Sequence, residues 1–265
     1  MFLNSFDKVE GSDFSPALLE KTSALLRKNP EYYTIWNIRR RIFNNEFGNI
    51  TKQLDGGQLS EDNKNSQVLD ILNLDLQFIF PLLLQYPKCY WIWDHRIWLL
   101  QQATTYLPPD RARSLWEEEL KLVSKMLTRD SRNFHGWGYR RIVVENLESA
   151  ALNGKSLARE EYDYTTKKIG ENLSNFSAWH NRSRLILRIL DEQDASAEGR
   201  REMLDEGEYL PFLDICLTKV RVEAHTQSSI RSIRPVTMVL PSEFASSLRP
   251  RYSRQIDGTK TIEGR

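Results

Sequence analysis

Cysteine is scarce in this chain of 265 residues, which contains only Cys89 and Cys216, far apart in sequence. Two isolated cysteines can form neither the disulfide framework of a small secreted domain nor a thiolate-rich metal site. The four histidines, at positions 95, 135, 180 and 225, show no metal-ligand spacing either. We therefore predict that the chain itself binds no metal or other cofactor, and that it works in a reducing, cytoplasmic compartment.

The sequence also lacks a long apolar run and an excess of charge of either sign. Its most apolar stretch, FIFPLLL at residues 78–84, is far too short to cross a bilayer. Lysine and arginine together number 37 against 36 acidic residues, which leaves a formal net charge of +1. Bulk electrostatics thus gives no support for an anionic partner surface. We expect no membrane insertion and no nucleic-acid binding.

Tryptophan, by contrast, recurs in a regular motif. The pattern W-x-x-R occurs four times, each time with an aromatic residue three or four positions before the tryptophan. Successive tryptophans of the motif are 57, 44 and 42 residues apart, a period typical of repeat proteins. The four segments are residues 29–40, 86–97, 130–141 and 171–183, with the anchors Trp36–Arg39, Trp93–Arg96, Trp137–Arg140 and Trp179–Arg182.

Each repeat has the pattern of a helical hairpin. An amphipathic stretch comes before every motif, and the motif itself begins a second helix. Ser15 followed by Pro16 is typical of a helix start, and Ser156 is a candidate cap for a helix with acidic residues in its first turn. No segment combines strand-like alternation with turn residues. The sequence therefore predicts an all-α fold, an α-solenoid in which neighbouring hairpins bury one another's apolar faces.

The pattern divides the chain into three parts. We predict an N-terminal extension at residues 1–14, the repeat array at residues 15–220 and a disordered, mildly basic, serine-rich tail at residues 221–265.

Polar and helix-breaking residues place the irregular segments inside the array. Residues 48–67, which include a Gly-Gly pair, are predicted to form a surface loop, and residues 107–110 and 153–156 are predicted turns. Pro81 is expected to kink the helix that contains it.

The anchors have a structural interpretation. A tryptophan that recurs once per hairpin is typical of a core residue, because its large ring can fix one helix against the next. The arginine three residues later shares its helix face, and its guanidinium can bond an acidic side chain or helix-end carbonyls of the next hairpin.

Candidate site residues are those in which the repeats differ. Lys88 occurs only in the second repeat, and His135 only in the third. Tyr90 fills the upstream aromatic position of the second repeat. All three lie where the second helix of a hairpin begins, so a lysine and a histidine of neighbouring repeats could converge on an anion. The alternative is that Lys88 is an ordinary solvated lysine.

The four segments resemble the repeat of the protein prenyltransferase alpha subunits, whose core is an aromatic residue followed by W-x-x-R. The resemblance covers about residues 15–206 and is closest to the type-II, Rab geranylgeranyltransferase branch, through NPEYYTIWNIRRR, PKCYWIWDHRIWLL, RDSRNFHGWGYRR and NLSNFSAWHNRS. It implies a crescent of helical hairpins around a beta subunit that holds the catalytic zinc and most of the isoprenoid pocket.

The resemblance also implies an activity and a site. Such enzymes transfer a geranylgeranyl group from its diphosphate, bound at the subunit interface, to C-terminal cysteines of Rab GTPases delivered by an escort protein. The alpha subunit contributes a lysine and a tyrosine of the second repeat and a histidine of the third, which match Lys88, Tyr90 and His135. These residues would stabilise the negative charge that grows on the departing diphosphate.

Two departures bear on the resemblance. Trp91 stands where the farnesyl-type relatives have a glutamine, which favours the type-II enzyme over the farnesyl or type-I geranylgeranyl enzyme. The family continues with a further tryptophan repeat, whereas this sequence changes character near residue 207, so we expect the last hairpin to lack its capping neighbour. A non-catalytic helical scaffold is the other class of function that such an array could serve.

Overall fold

The computed structural model describes residues 14–194, together with residues 196 and 198. All of them fall within one compact unit, Met1–Glu202. The predicted tail at residues 221–265, most of the N-terminal extension and the sequence change near residue 207 lie outside the described residues.

The described residues form eight α-helices and no strand, so the all-α prediction is confirmed. The helices pair along the chain into four hairpins, α1 with α2, α3 with α4, α5 with α6 and α7 with α8. Consecutive hairpins also pack against each other. The helices are α1 (Pro16–Lys28), α2 (Tyr33–Asp55), α3 (Glu61–Gln85), α4 (Tyr90–Tyr106), α5 (Pro109–Arg129), α6 (Phe134–Leu147), α7 (Ala158–Glu171) and α8 (Phe176–Glu192).

Capping residues explain where several helices begin. Ser15 caps α1, with its hydroxyl accepting a hydrogen bond from the Leu18 amide, and Pro16 occupies the first turn as predicted. Asn133 and Asn175 do the same for α6 and α8. The N-cap position of α7 is Leu157 and not Ser156, although the Ser156 hydroxyl still accepts a bond from the Ala158 amide at 3.2 Å.

The predicted surface loop at residues 48–67 is wrong in extent. Helix α2 continues to Asp55, and α3 begins at Glu61, so only five residues separate the two helices. Ile50 is buried, so the last turns of α2 have an apolar face that packs in the core. After the helix ends, Gly57 takes a positive φ of 69°, a conformation that glycine adopts readily. Ser60 then caps α3 through the Asn63 amide.

The turn predicted at residues 107–110 is shorter than expected, because α5 already begins at Pro109 and only two residues separate it from α4. The turn at residues 153–156 is confirmed and follows a single 3₁₀ turn, Ala150–Leu152. Helix α3 runs from Glu61 to Gln85 with Pro81 inside it.

Among the described helices, α3 alone is long and apolar enough to cross a membrane, with a mean hydropathy of 1.5 over its most apolar window. A core helix of a helical array can have the same composition. Here α3 packs against α2 and α4 and carries a fully buried ion pair through Asp75. We therefore describe it as a helix of the array.

Candidate functional site at the rim of the helical hairpins

The motif tryptophans fix the turn inside each hairpin. In all four repeats the indole N–H donates to the backbone carbonyl six residues earlier, at 2.8 to 2.9 Å. Trp36, Trp93 and Trp137 are buried as predicted, whereas Trp179 stays partly exposed. The accepting carbonyls belong to Pro30, Pro87, Ser131 and Leu173.

The motif arginines are buried, and three of them join one hairpin to the next. Arg39 Nε donates to Asp75 of α3 at 2.7 Å, and Arg96 Nε donates to Glu119 of α5 at 3.1 Å. Arg140 likewise binds a carboxylate of α7, so the prediction of an acidic partner in the next hairpin is confirmed at three junctions. Arg182 donates to the Tyr162 and Thr166 hydroxyls within its own hairpin.

Sequence reasoning did not identify the acidic partners, although a signal was present. Asp75, Glu119 and Glu161 each lie 18 positions before the tryptophan of their own repeat. The first hairpin has Leu18 at that position, and its side chain offers no charge to an arginine.

A buried polar network surrounds the first of these carboxylates. Arg40 Nε donates to His95 Nδ1 at 3.2 Å, so the ring proton must be on Nε2, which donates to Asp75 Oδ2 at 2.8 Å. Burial lowers the pKa of His95 and keeps the ring neutral. Burial alone would raise the pKa of Asp75, but the hydrogen bond from His95 and the charge of the Arg39 guanidinium hold it below its ordinary value.

The upstream aromatic residues of the motif form an exposed row. Each stands three residues before its tryptophan and is the first residue of the second helix of its hairpin. Tyr33, Tyr90, Phe134 and Phe176 are between 53 and 77% exposed. The motif therefore combines a core tryptophan with an aromatic ring on the surface. We call these four residues the rim aromatics.

The candidate site residues lie on this rim, between the second and third hairpins. The rings of Tyr90 and His135 are 6.4 Å apart between centroids, so neighbouring repeats do bring them together. Lys88 is exposed in the turn just before α4. The role of the three residues in binding an anion stays a prediction.

Trp91 joins the first two hairpins along the same rim. Its ring lies 5.6 Å from that of Tyr33 and 5.1 Å from that of Tyr90. With the Tyr90–His135 contact, these rings form an unbroken aromatic surface over three repeats. This continuity was not evident in the sequence, because it depends on how the hairpins stack.

Four segments of the chain match the protein prenyltransferase alpha subunit repeat, at residues 16–46, 72–103, 116–147 and 158–189. Each segment covers helical residues before the motif and the W-x-x-R core in the second helix of the hairpin. The chain belongs to the protein prenyltransferase alpha-subunit family. The expected family and repeat architecture are thereby confirmed.

Several relatives of this prenyltransferase alpha-subunit chain are named geranylgeranyl transferase type-2 subunit alpha. The protein of that name from Candida albicans is 43% identical over 189 residues, which are 69% of this chain and 47% of the relative. The Saccharomyces cerevisiae protein is 42% identical over 179 residues, or 68% and 47%. The mouse protein is 31% identical over 224 residues, or 84% and 34%.

The chain thus spans about half of the length of the two fungal relatives that it matches.

Within the prenyltransferase alpha-subunit repeats described here, the exposed rim differs chemically from the buried anchors. The tryptophan and arginine anchors form hydrogen bonds inside the array, whereas the rim aromatics and Lys88 are exposed.

Proposed function

We propose that the chain is the alpha subunit of a heterodimeric type-2 geranylgeranyl transferase. The enzyme would transfer a geranylgeranyl group from its diphosphate to C-terminal cysteines of Rab GTPases, which an escort protein would present in the cytoplasm. The observation that carries this proposal is the similarity over four repeats to proteins named geranylgeranyl transferase type-2 subunit alpha.

The contribution of this chain would be made by Lys88, Tyr90 and His135. When a substrate thiolate attacks C1 of the prenyl group, the C–S bond forms and the C–O bond to the diphosphate breaks. The leaving diphosphate takes the electron pair and gains negative charge. An ammonium group and hydrogen-bond donors placed beside it stabilise this transition state more than the ground state.

The rest of the active site would come from a beta subunit. Among residues 14–194, no three His, Cys, Asp or Glu side chains come together in a group that could hold a metal ion. The described residues therefore do not fit the zinc ion that the family implies, which we assign to the partner along with most of the isoprenoid pocket. The rim aromatics support such a partner, since exposed aromatic rings in a row are typical of a surface that another protein covers.

The alternatives receive less support. A helical scaffold would not require Lys88, Tyr90 and His135 to share one rim. A farnesyl or type-I geranylgeranyl subunit is disfavoured by Trp91 and by the names of the relatives.

The proposal is tested by producing the chain together with a type-2 beta subunit. We expect a stable heterodimer that transfers a labelled geranylgeranyl group to a Rab protein in the presence of escort protein, whereas the chain alone is inactive. The matched control replaces the beta subunit with that of a farnesyl-type enzyme, which should yield no Rab modification. If the type-2 beta subunit forms no heterodimer with the chain, the proposal is wrong.

A further inference from the structure

Arginines four residues after the motif tryptophan point toward the next hairpin at two junctions. At the junction of the first two hairpins, Arg40 Nη2 donates to Asp94 at 2.7 Å, and Arg40 Nε donates to His95. The charge of Arg40 is therefore balanced within the array. This junction provides an internal reference for the other.

At the equivalent junction between α6 and α8, no described carboxylate neutralises the corresponding arginine. Arg141 corresponds to Arg40, and its Nη1 donates to the amide oxygen of Asn181 at 3.0 Å. Asn181 stands where the first junction has His95, and His180 stands where it has Asp94. The neutralising carboxylate is thus replaced by a histidine at this junction.

A second arginine increases the positive charge at this place. Arg184 lies three residues after Asn181 on α8, on the same face of the helix. Partial burial and then the positive charge of Arg184 lower the pKa of Arg141. Within the described part of the chain, neither arginine forms an ion pair with a carboxylate, and Glu145 one turn after Arg141 does not pair with it.

Exposed apolar side chains flank the two arginines. On α8, Phe176 is 57% and Leu187 is 50% exposed, and both share a helix face with Arg184. Phe134 of α6 lies two turns before Arg141, on the same face of its helix. We call this surface the α6–α8 basic face; its residues are Phe134, Arg141, Phe176, His180, Arg184 and Leu187.

Building on the proposed function, we propose that the α6–α8 basic face binds an acidic segment of the beta subunit, with one carboxylate between Arg141 and Arg184. A guanidinium binds a carboxylate through two parallel hydrogen bonds, and arginine and aromatic residues are enriched where protein interfaces are strongest. The apolar flanks favour a protein over a free anion, because a small anion would leave Phe176 and Leu187 in water.

The test measures the affinity of the heterodimer with variants that leave the array intact. We expect Arg141→Gln with Arg184→Gln to weaken binding of the beta subunit by roughly ten- to a hundredfold. Because the contact is ionic, raising the salt concentration should weaken the wild-type complex more than the double variant. Arg184→Lys should retain part of the affinity, since it keeps the charge but loses the planar fork.

Arg111→Gln is the matched control, because Arg111 is an exposed arginine on α5, outside the α6–α8 basic face. It should leave the affinity and its salt dependence unchanged. Thermal unfolding of each free variant should match that of the wild-type chain, which shows that the array is intact.

Three outcomes would overturn the inference, and they can be told apart. If the double variant binds the beta subunit as tightly as the wild-type chain, this inference is wrong and the proposed function stands. If the wild-type chain forms no heterodimer, both are wrong. If inorganic phosphate binds the free chain through these arginines while heterodimer affinity is unchanged in the double variant, the site serves a small anion instead.

Discussion

Arg140 of α6 binds Glu161 of α7 through two parallel hydrogen bonds, from Nε to Oε2 at 2.8 Å and from Nη2 to Oε1 at 2.6 Å. Both residues are buried at the junction of the third and fourth hairpins. Arg140 also donates to the Ser124 hydroxyl at 2.7 Å, so one guanidinium of α6 contacts both α5 and α7. Its loss should therefore affect the stacking of two hairpins.

We expect Arg140→Gln to lower the free energy of unfolding by about 3–5 kcal/mol, because it leaves the Glu161 carboxylate buried without its charge partner. Urea unfolding followed by circular dichroism measures the change. The control is Glu117→Gln, which removes an exposed ion pair with Arg113 and should cost about 0.5 kcal/mol or less. Equal effects of the two substitutions would contradict a structural role for the buried pair.

The tryptophan anchors give a second prediction. Trp137→Phe keeps an aromatic ring in the core but removes the bond to the Ser131 carbonyl, which should cost about 1–2 kcal/mol in addition to lost packing. Trp98→Phe is the comparison, since the Trp98 indole N–H has no acceptor among the described residues. Urea unfolding should show the larger loss for Trp137, and a larger loss at Trp98 would refute the role of the turn bond.

Much of this architecture could be predicted from the sequence. The W-x-x-R period, the capping serine and the Pro-containing turns are local signals, and the hairpins follow from them. The loop at residues 48–67 was predicted from polar composition and the Gly56–Gly57 pair, but the burial of Ile50 keeps α2 helical as far as Asp55. The junction ion pairs could not be predicted from one repeat alone, because they depend on which carboxylate of the next hairpin faces each arginine.

Part of the candidate site was also predictable. Lys88 and His135 stood out because the repeats differ there, and the structure places Tyr90 beside His135. The aromatic surface through Trp91 depends on the stacking of hairpins, which a single sequence does not specify.

A glycine contact gives a third prediction. A Cβ on Gly154 would lie 2.2 Å from the Leu147 carbonyl oxygen, inside any allowed contact distance. Gly154→Ala should therefore destabilise the turn before α7 by about 2–3 kcal/mol. Gly48→Ala is the control: apart from the adjacent backbone of α2, no described atom lies within 4 Å of the added methyl, so it should stabilise the protein by about 0.5–1 kcal/mol. Differential scanning calorimetry would show opposite shifts of the melting temperature, and shifts of the same sign would disprove the close contact.

His95 and Asp75 give a prediction on pH. The pKa of His95 is lowered in the folded protein, mainly by burial, so below about pH 6.5 the unfolded chain takes up a proton that the folded chain does not. The free energy of unfolding should therefore fall as the pH drops below this value, by up to about 1.4 kcal/mol per pH unit. The lowered pKa of Asp75 adds stability at pH values above the unfolded pKa of this group, and that stability is lost on further acidification.

Urea unfolding between pH 5 and pH 8 measures this dependence. His95→Gln should be less stable at neutral pH but should show a flatter pH profile. The control, His180→Gln, changes an exposed histidine and should keep the wild-type slope. A wild-type slope in His95→Gln would show that another group causes the loss of stability.

The proposed enzyme site gives the last prediction. In the heterodimer, Lys88→Ala should slow single-turnover prenyl transfer about a hundredfold, since the growing charge on the diphosphate loses its cation. His135→Ala should have a smaller effect, of about tenfold. Lys125→Ala, on the exposed side of α5, is the control. Unchanged single-turnover rates in both site variants would reject the assigned residues while leaving the family membership intact.

The three junction ion pairs all run in one direction along the chain, from an arginine of the earlier hairpin to a carboxylate of the later one. The second and third hairpins thus each carry an arginine that pairs with the following hairpin and a carboxylate that pairs with the preceding one. Hairpins built in this way join only head to tail, because a reversed hairpin would bring two guanidinium groups or two carboxylates together. The same polarity would allow an extra hairpin to be inserted at any of these junctions, provided that it kept the arginine and the acid in their places.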